Sequence, residues 1–332
     1  MRVLITGVDG LVGRHMAMRY LEMHHEVVGI DNHIPGGGAV HPDKWEIGSP
    51  LDSANYTQML GDCRDLFAKN YECDLILHFA AVVGGRQTIE DMPLSVADDL
   101  SIDSAMWQWA ARVKPRVAYF SSSAAYPVDL QGLAHKWVLE ERDINLRGMS
   151  IGIPDMSYGW AKLTGEYLGM LAAERAGVSH VVYRPFSGYA EDQGTEYPMR
   201  AICNRAIDTV LGGMSSTYVW GDGQQVRDWV HIEDIVSIVE KTVMTVRDGT
   251  VLNLSTGHGT SMTDLMQLAI EVAQERLGRS HTPVDVLPMS DKPSGVMHRV
   301  GCPNRRRALV DDKMISVVGG VNCMIREELL RR

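Results

Sequence analysis

Short apolar runs alternate with longer segments of helical periodicity over the first 185 residues of the chain. The pattern predicts strands at 3–6, 26–30, 56–60, 74–81, 116–122 and 180–184. It predicts helices at 11–23, 94–113 and 156–176, where apolar residues recur at helical spacing. Because the predicted strands are apolar nearly throughout, helices must cover both faces of their sheet. We therefore expect an α/β fold with a Rossmann-like, doubly wound parallel sheet.

Beyond residue 185 the pattern loosens but still mixes the two kinds of element. It predicts helices at 198–212, 233–246 and 261–277, and strands at 217–220, 250–254 and 283–287. These segments indicate a smaller C-terminal α/β lobe that packs on the first part of the chain. We expect two domains, 1–185 and 186–332, with some strands and helices interleaved between them.

Composition narrows the class of protein. Hydrophobic residues make up 45% of the 332 residues and charged residues 22%, as in soluble globular proteins. No apolar run is long enough to span a bilayer, and the first residues lack the pattern of an export signal. Five cysteines without CxxC or Cys/His spacing indicate reduced thiols, no metal site and a cytoplasmic location.

The net charge of −10 argues against a nucleic-acid partner, because general binding of nucleic acids needs a basic face. The one local exception is the triple arginine at 305–307. A solvated basic corner is the simpler interpretation of this triple, and a phosphate contact is the alternative.

The first predicted strand ends in a glycine turn of the GxxGxxG type, formed by Gly7, Gly10 and Gly13. Such a turn between a strand and a helix lets the backbone approach a pyrophosphate closely. The second strand ends at Asp31, whose carboxylate suits the ribose hydroxyls of adenosine and repels the extra phosphate of NADP. We predict NAD as the cofactor; a purely structural turn with a surface carboxylate is the alternative.

Further cofactor contacts follow from position at the same edge of the sheet. Asp62 follows the third strand, where it reaches the adenine amino group or remains a solvated turn carboxylate. Ala80 and Ala81 at the end of the fourth strand leave room for a dinucleotide, although small residues also serve simple packing. The complete set of predicted contacts adds the neighbouring residues Leu11, Val12, Asn32, Cys63 and Phe79.

Tyr158 and Lys162 are four residues apart, so a helix places the phenol and the ammonium on one face. An ammonium beside a phenol lowers the pKa of the phenol, which makes tyrosinate a usable base. A serine hydroxyl from the fifth strand can bind the same substrate oxygen. We predict that this set removes a proton from a carbinol while nicotinamide takes the hydride.

Several motifs together resemble one family. They are GVDGLVG, DLILHFAA, FSSSAAYP, YGWAK, YRPFSGY and YVWGDGQQVRDWVHIEDI, and they extend from residue 1 to about 310. This order of motifs is similar to that of the extended short-chain dehydrogenases/reductases, the nucleotide-sugar epimerases and dehydratases. HFAAVVGG and SSSAAYP most resemble the branch of the GDP-mannose 3,5-epimerases and GDP-fucose synthases.

The resemblance implies roles for the serine run. It assigns the catalytic hydroxyl to Ser122, beside Tyr158 and Lys162. Relatives carry Asp-Glu, Glu or Cys at the positions of Ser123 and Ala124, for dehydration, decarboxylation or proton exchange at carbon. Their absence leaves hydride transfer, as in C4 epimerisation with tightly bound NAD+. The alternatives are a 4-keto sugar reductase or other dehydrogenase, and a non-catalytic dinucleotide-binding protein.

The resemblance also implies a nucleotide-diphosphate sugar, GDP- or UDP-linked, as substrate. Arg227 matches the family's diphosphate arginine, with a structural ion pair as the alternative, and Arg299 aligns loosely with a second one. The implied substrate contacts are completed by Val83, Gly84, Arg86, Ser123, Ala124 and Ser187, the last in place of the family's asparagine. The family further implies a homodimer through helices 95–113 and 157–176. Loop 127–155 aligns with nothing known, and a catalytic group supplied from it would change the predicted chemistry.

Overall fold

The structure, a computed structural model, describes residues 1–33, 38–82, 86–132, 137–292 and 294–332, without the side chains of 86–88. Its strands are β1 (Arg2–Thr6), β2 (Glu26–Asp31), β3 (Tyr56–Leu60), β4 (Leu75–His78), β5 (Arg116–Phe120), β6 (Val138–Leu139), β7 (His180–Pro185), β8 (Ser187–Tyr189), β9 (Ser216–Trp220), β10 (Val226–His231), β11 (Thr250–Leu254), β12 (Gly259–Ser261), β13 (Asp285–Met289) and β14 (His298–Gly301). Its helices are α1 (Leu11–Glu22), α2 (Cys63–Phe67), α3 (Arg86–Asp91), α4 (Val96–Val113), α5 (Met156–Ala176), α6 (Pro198–Leu211), α7 (Ile232–Thr242), α8 (Met262–Arg276), α9 (Asn304–Arg307) and α10 (Val317–Arg331).

Seven parallel strands form the main sheet, in the order β11-β7-β5-β4-β1-β2-β3. Helices α1 and α7 pack on each other over one hydrophobic cluster, and α4 packs on α5 over another. The sheet is therefore covered by apolar helix faces on both sides, which explains why its strands lack a polar alternation. The predicted doubly wound α/β fold is confirmed.

Two strands are shorter than predicted, at the edge where the site lies. β4 ends at His78 and β5 at Phe120, whereas the sequence predicted 74–81 and 116–122. The apolar and small residues beyond them leave the sheet and line a cavity, so hydrophobicity alone does not mark the strand end. Trp107 and Trp109 of α4 are both buried in the core.

A second lobe contains α6, α8 and α10 around their own hydrophobic cluster. Its main sheet has the order β12-β10-β14-β6, with β8 paired to β10, and β9 pairs with β13 separately. The sequence analysis did not predict α10, the six-residue strand β10 or the short strands β6, β8, β12 and β14. The short strands give too few residues for a period of two to show, and Gly319-Gly320 obscure the start of α10.

One strand and one helix from beyond residue 185 belong to the first sheet. β11 pairs with β7 at the sheet edge, and α7 packs against α1. The exact division into domains stays a prediction. Among the described residues, no helix is both long and apolar enough to cross a bilayer.

A buried ion pair joins α5 to the main sheet. Arg184 of β7 donates to both carboxylate oxygens of Glu166, at 2.8 and 2.6 Å, and both side chains are 1% exposed. Ser121, just beyond β5, donates its hydroxyl hydrogen to Glu166, and Arg184 also donates to the Tyr126 hydroxyl at 3.0 Å. Burial lowers the pKa of Arg184, but Glu166 more than offsets this and holds the pKa above its usual range.

We expect Glu166→Gln to lower the free energy of unfolding by about 3 kcal/mol, because it leaves the Arg184 guanidinium buried without a counter-charge. Urea denaturation measures this loss. The matched control is Glu174→Gln on the same helix, where the Arg147 pair is largely exposed and is worth less than about 1 kcal/mol. Equal effects of the two substitutions would contradict the structural importance of the buried pair.

Candidate active site

A cavity of about 270 Å³ opens at the carboxyl ends of the strands, the edge at which open α/β sheets bind ligands. It is lined by every residue for which a cofactor contact was predicted: Gly7, Gly10, Leu11, Val12, Gly13, Asp31, Asn32, Asp62, Cys63, Phe79, Ala80, Ala81, Tyr158 and Lys162. The structure therefore gathers the predicted set in one place. Their individual contacts to a cofactor stay predictions.

The glycine turn leaves no room for side chains. Gly7 has φ +69°, and a Cβ there would lie 2.8 Å from the backbone nitrogen of Ala80. A Cβ on Gly13 would lie 2.3 Å from the carbonyl oxygen of Gly7. The turn thus packs tightly against the end of β4 and the start of α1 and exposes the helix N-terminus to the cavity. This cradle fits the pyrophosphate of a dinucleotide.

Asp31 is held in place at the end of β2 by two backbone donors. The N–H groups of Asp9 and His33 donate to its two oxygens at 3.1 and 2.9 Å. The buried Asp9 carboxylate contacts the His33 ring and accepts from Gln58 at 2.9 Å. Burial raises the pKa of Asp9, and the His33 contact opposes that shift. Asp31 lines the cavity, where its carboxylate would repel the additional phosphate of NADP, whereas Asp9 is buried and does not line the cavity.

Ligand atoms of Asp9, Asp31 and His33 lie within 4.8 Å of one another, a spacing that could hold a metal ion. The sequence analysis predicted no metal, and His33 did not enter it as a ligand. Since both oxygens of Asp31 accept N–H groups and His33 contacts Asp9, the geometry is accounted for by hydrogen bonding.

Asp62 differs from the sequence expectation in its immediate partner. Its carboxylate accepts from the backbone N–H of Arg64 at 2.8 Å, which caps α2, and pairs with the Arg64 guanidinium at 2.6 Å. The hydrogen bond with the Arg64 side chain lowers the pKa of Asp62. The next residue, Cys63, is buried, and burial raises the pKa of its thiol to about 12, so this cysteine is not a nucleophile.

Ser122, Tyr158 and Lys162 meet as predicted. Ser122 forms a hydrogen bond with the Tyr158 phenol, and its Oγ also accepts the N–H of Ala124 at 3.0 Å. Lys162 is 2% exposed and lies with its Nζ 5.7 Å from the centre of the Tyr158 ring. The hydroxyl, the phenol and the ammonium therefore converge at the exit of β5 and the first turns of α5, and Tyr158 and Lys162 line the cavity.

The charge balance around the phenol is less simple than the sequence suggested. Burial raises the pKa of Tyr158, Lys162 opposes this shift, and the carboxylates of Asp99 and Asp103 add to it. The net direction is upward, whereas the lysine alone predicted a lower pKa. Burial lowers the pKa of Lys162, but Asp103, Tyr158 and Asp99 together raise it above its usual value. The two aspartates of α4 were not found from the sequence, because their helix was treated as packing surface.

The other two serines of the run have structural surroundings. Ser121 donates to the buried Glu166, and Ser123 is 6% exposed in a short 3-10 turn with Ala124. The backbone N–H of Asp155 donates to the carbonyl of Ala124 at 2.9 Å. Loop 127–155 thus contacts Ala124 through the backbone of Asp155, while the Asp155 carboxylate pairs with Arg299 at 2.7 Å.

The two candidate phosphate arginines lie side by side. Arg227 of β10 and Arg299 of β14 are direct partners in the parallel register, so both side chains emerge on one face of the sheet. Arg227 donates to the carbonyls of Val226 and Ser294 at 2.8 and 3.1 Å, and Arg299 donates to Gln131 at 2.6 Å besides its pair with Asp155. The ion pair with Asp155 lies at Arg299, whereas the sequence raised a structural ion pair as the alternative for Arg227. The two guanidinium groups together offer the charge that a diphosphate needs.

The remaining predicted substrate contacts are only partly described. Ser187 begins β8 and pairs with Trp229 of β10. Val83 and Gly84 lie outside the described residues, and Arg86 begins α3 with its side chain outside them. Tyr197 also lines the cavity, but the sequence analysis did not predict it as a site residue.

The arginine triple is a structural feature of α9. Arg305 donates to the carbonyl of Val251 at 3.0 Å and Arg307 to that of Thr256 at 3.4 Å. Arg306 is 2% exposed and donates to Val310 at 3.2 Å. The sequence predicted that all three arginines are solvated. Arg305 and Arg307 are exposed but also bind backbone carbonyls, and Arg306 is buried.

Comparison with known proteins agrees with this geometry. Residues 3–255 match the profile of the NAD dependent epimerase/dehydratase family. The chain belongs to this family. The resemblance identified from the motifs is confirmed, and NAD is the family's cofactor.

Relatives within the family carry several activities. The chain is 26% identical over 282 residues to a UDP-glucose 4-epimerase of Mycolicibacterium smegmatis, covering 80% of each. It is 24% identical to a UDP-N-acetyl-alpha-D-glucosaminuronate decarboxylase of Bacillus cytotoxicus, with 80% of this chain and 78% of the relative covered. A UDP-glucuronic acid 4-epimerase of Bacillus cereus, solved with UDP-glucuronic acid and NAD, has the same fold, with TM-score 0.78, 20% identity and complete coverage of both chains.

We expect Asp31→Asn to raise the ratio of NADPH affinity to NADH affinity on the order of tenfold. The substitution removes a charged acceptor for the ribose hydroxyls and the charge that repels a 2′-phosphate. Fluorescence titration of the cofactor-free protein with each reduced cofactor measures the ratio. Asp62→Asn is the control, because Arg64 already neutralises that carboxylate; a similar change in both variants would contradict a specific role of Asp31.

Proposed function

We propose that the protein inverts the configuration at C4 of a UDP-linked sugar, using tightly bound NAD. The observation that carries this proposal is the convergence of Ser122, Tyr158 and Lys162 beside Ala124. Three groups suited to moving a proton on a carbinol oxygen stand next to a position that offers none for moving a proton on carbon. Family membership supports the class of reaction, and the position of inversion is our inference.

Each side chain has a distinct part in the proposed reaction. NAD held by the glycine turn and Asp31 would supply the acceptor and donor of the hydride exchanged with the sugar carbinol. The Tyr158 oxygen takes the proton of the C4 hydroxyl and gives it back in the second half of the cycle. Ser122 holds both the phenol and the substrate oxygen by hydrogen bonds. Lys162 supplies the positive charge that stabilises tyrosinate in a buried site.

The second lobe supports a nucleotide-diphosphate substrate. Arg227 and Arg299 share one face of neighbouring strands, as two cations facing a diphosphate would. We favour a UDP-linked sugar over the GDP-linked alternative, because the compared relatives and the compared structure carry uridine nucleotides in their names. All five cysteines are free thiols, which fits the cytoplasm, where such sugars are interconverted.

The proposal is tested by incubating the protein with UDP-, GDP-, CDP- and dTDP-sugars without added cofactor. We expect NMR of the products to show C4 inversion for a UDP-sugar and a flat absorbance at 340 nm. Stoichiometric appearance or loss of NADH at 340 nm would instead indicate a reductase or dehydrogenase. Retention of NAD with no turnover across the panel would indicate a non-catalytic binding protein.

In the same assay we expect Tyr158→Phe to lower kcat about a thousandfold, because the variant loses its acid–base group. Tyr167→Phe, at an exposed position on the same helix, is the matched control and should retain full activity. An active Tyr158→Phe variant would exclude the proposed mechanism in both its epimerase and reductase forms.

We also propose a homodimer formed by α4 and α5. Trp160 and Tyr167 on α5 are 45% and 44% exposed, so this helix presents aromatic surface outside the core. We expect sedimentation velocity to show a dimer and Tyr167→Asp to shift it towards monomer, because a buried charge opposes association. Tyr218→Asp in β9 places the same charge at a 42% exposed tyrosine of the other lobe and should leave the dimer intact. A monomeric unmodified protein would overturn the proposal.

A further inference from the structure

Two carboxylates lie buried beneath the phenol and ammonium. Asp99 and Asp103 are four residues apart on α4, on the face that packs against α5, and are 2% and 1% exposed. Both interact electrostatically with Lys162, which is equally buried. One buried ammonium is therefore shared between two buried carboxylates, and the second carboxylate needs an explanation, since an uncompensated buried charge is costly.

Asp103 is fully engaged in a structural network. One oxygen accepts the Tyr119 hydroxyl, and the other lies 3.2 Å from His78 Nε2. His78 in turn contacts Thr6 at 2.8 Å through Nδ1, and burial lowers the pKa of His78. Because a neutral His78 and a phenol leave the charge of Asp103 unneutralised, Asp103 is the natural counter-ion of Lys162.

Asp99 has a different environment. Its Oδ1 accepts the backbone N–H of Val82 at 2.6 Å, four residues beyond the end of β4. Its carboxylate also acts on both members of the catalytic pair, adding to the upward shift of each pKa. Burial raises the pKa of Asp99 itself to about 6, with Lys162 opposing the shift. Asp99 thus carries its charge above that pH and loses it below.

We propose that Asp99 is a positioning residue that holds the backbone of Val82 beyond β4 and sets the basicity of Tyr158 through the charge that it adds beside Lys162. The inference deepens the proposed function, on which it rests for the role of Tyr158 as the base. The charge on Asp99 raises the pKa of Tyr158. With Asp99 ionised, tyrosinate is therefore a stronger base but forms at higher pH. With Asp99 neutral, the phenol ionises more readily.

Other charged and titratable groups surround Tyr158 and Lys162 and must be the same in every variant that is compared. They are Asp98 and Asp103 on α4, Glu166 on α5, Glu90 and Asp91 on the outer face of α3, His78 on β4, Tyr119 on β5, Cys63 and Arg64 on α2, and Tyr197 before α6. Asp98 is the most useful of them as a control. It adjoins Asp99 in sequence, acts on it electrostatically and is 61% exposed beside Arg64.

The test is Asp99→Asn, which keeps an oxygen for the Val82 N–H and removes only the charge. Tyrosinate absorbance at 295 nm, taken as the difference from the same variant carrying Tyr158→Phe, titrates the phenol without any substrate. We expect this titration to move to lower pH by roughly half a unit to one unit, since a nearby negative charge disfavours tyrosinate. The alkaline-rising limb of kcat should move in the same direction, with the difference from the unmodified protein shrinking below about pH 6.

Asp98→Asn removes an equal charge at the surface and should shift neither curve. Superimposable titrations of Asp99→Asn and the unmodified protein would overturn the inference, whatever reaction the protein catalyses. A shifted titration without epimerisation would instead uphold the inference and remove the proposed function. If Asp99→Asn does not fold, Asp99→Ser is titrated in the same way. Failure of both to fold would show that the carboxylate is structural and overturn the inference.

Discussion

The placement of the catalytic groups depends on the buried ion pair of Glu166 and Arg184. Glu166 lies one helical turn beyond Lys162 on α5, and it accepts the hydroxyl of Ser121, which adjoins Ser122. One carboxylate therefore fixes the helix that carries the phenol and the ammonium against the strand end that carries the serine. Both side chains of the pair are 1% exposed, and separating the two buried charges would be costly. The pair therefore holds the helix and the strand end at a fixed separation.

The same region connects the catalytic groups to the second lobe. Arg184 also donates to Tyr126, whose hydroxyl donates to Asn253 of β11 at 2.7 Å. Asn253 in turn donates to the carbonyl of Leu139 in β6, a strand of the second sheet, at 2.9 Å. On the other side, Asp155 joins its backbone to Ala124 and its carboxylate to Arg299 of β14. Asp155 directly precedes α5 and lies three residues before Tyr158. A shift of β14 would consequently act on the start of α5 through Asp155. The proposed diphosphate site and the acid–base site are thus held by one continuous set of polar contacts.

The sequence predicted most of what depends on local chemistry. The glycine turn, Asp31, and the spacing of Tyr158 and Lys162 each follow from a short run of residues, and the structure gathers them around one cavity. Other features depend on long-range contacts that a single sequence does not contain. The Arg227–Arg299 register joins residues 72 positions apart, and the ionic partner of Arg299 comes from the unaligned loop. Asp99 and Asp103 lie on a helix that the sequence assigned to packing, and they are buried where α4 packs on α5.

The acidic surroundings of Lys162 also bear on the type of reaction. A base that must take a proton and later return it works best when its pKa lies near the working pH in both directions. Lysine alone would lower the pKa of Tyr158 and weaken the phenolate as a base. The carboxylates of Asp99 and Asp103 oppose that effect, and together with burial they hold the pKa of the phenol above its usual value. These surroundings therefore favour the protonated phenol, the form that returns a proton in the second half of the proposed cycle, and Lys162 is the cation that favours tyrosinate in the first half.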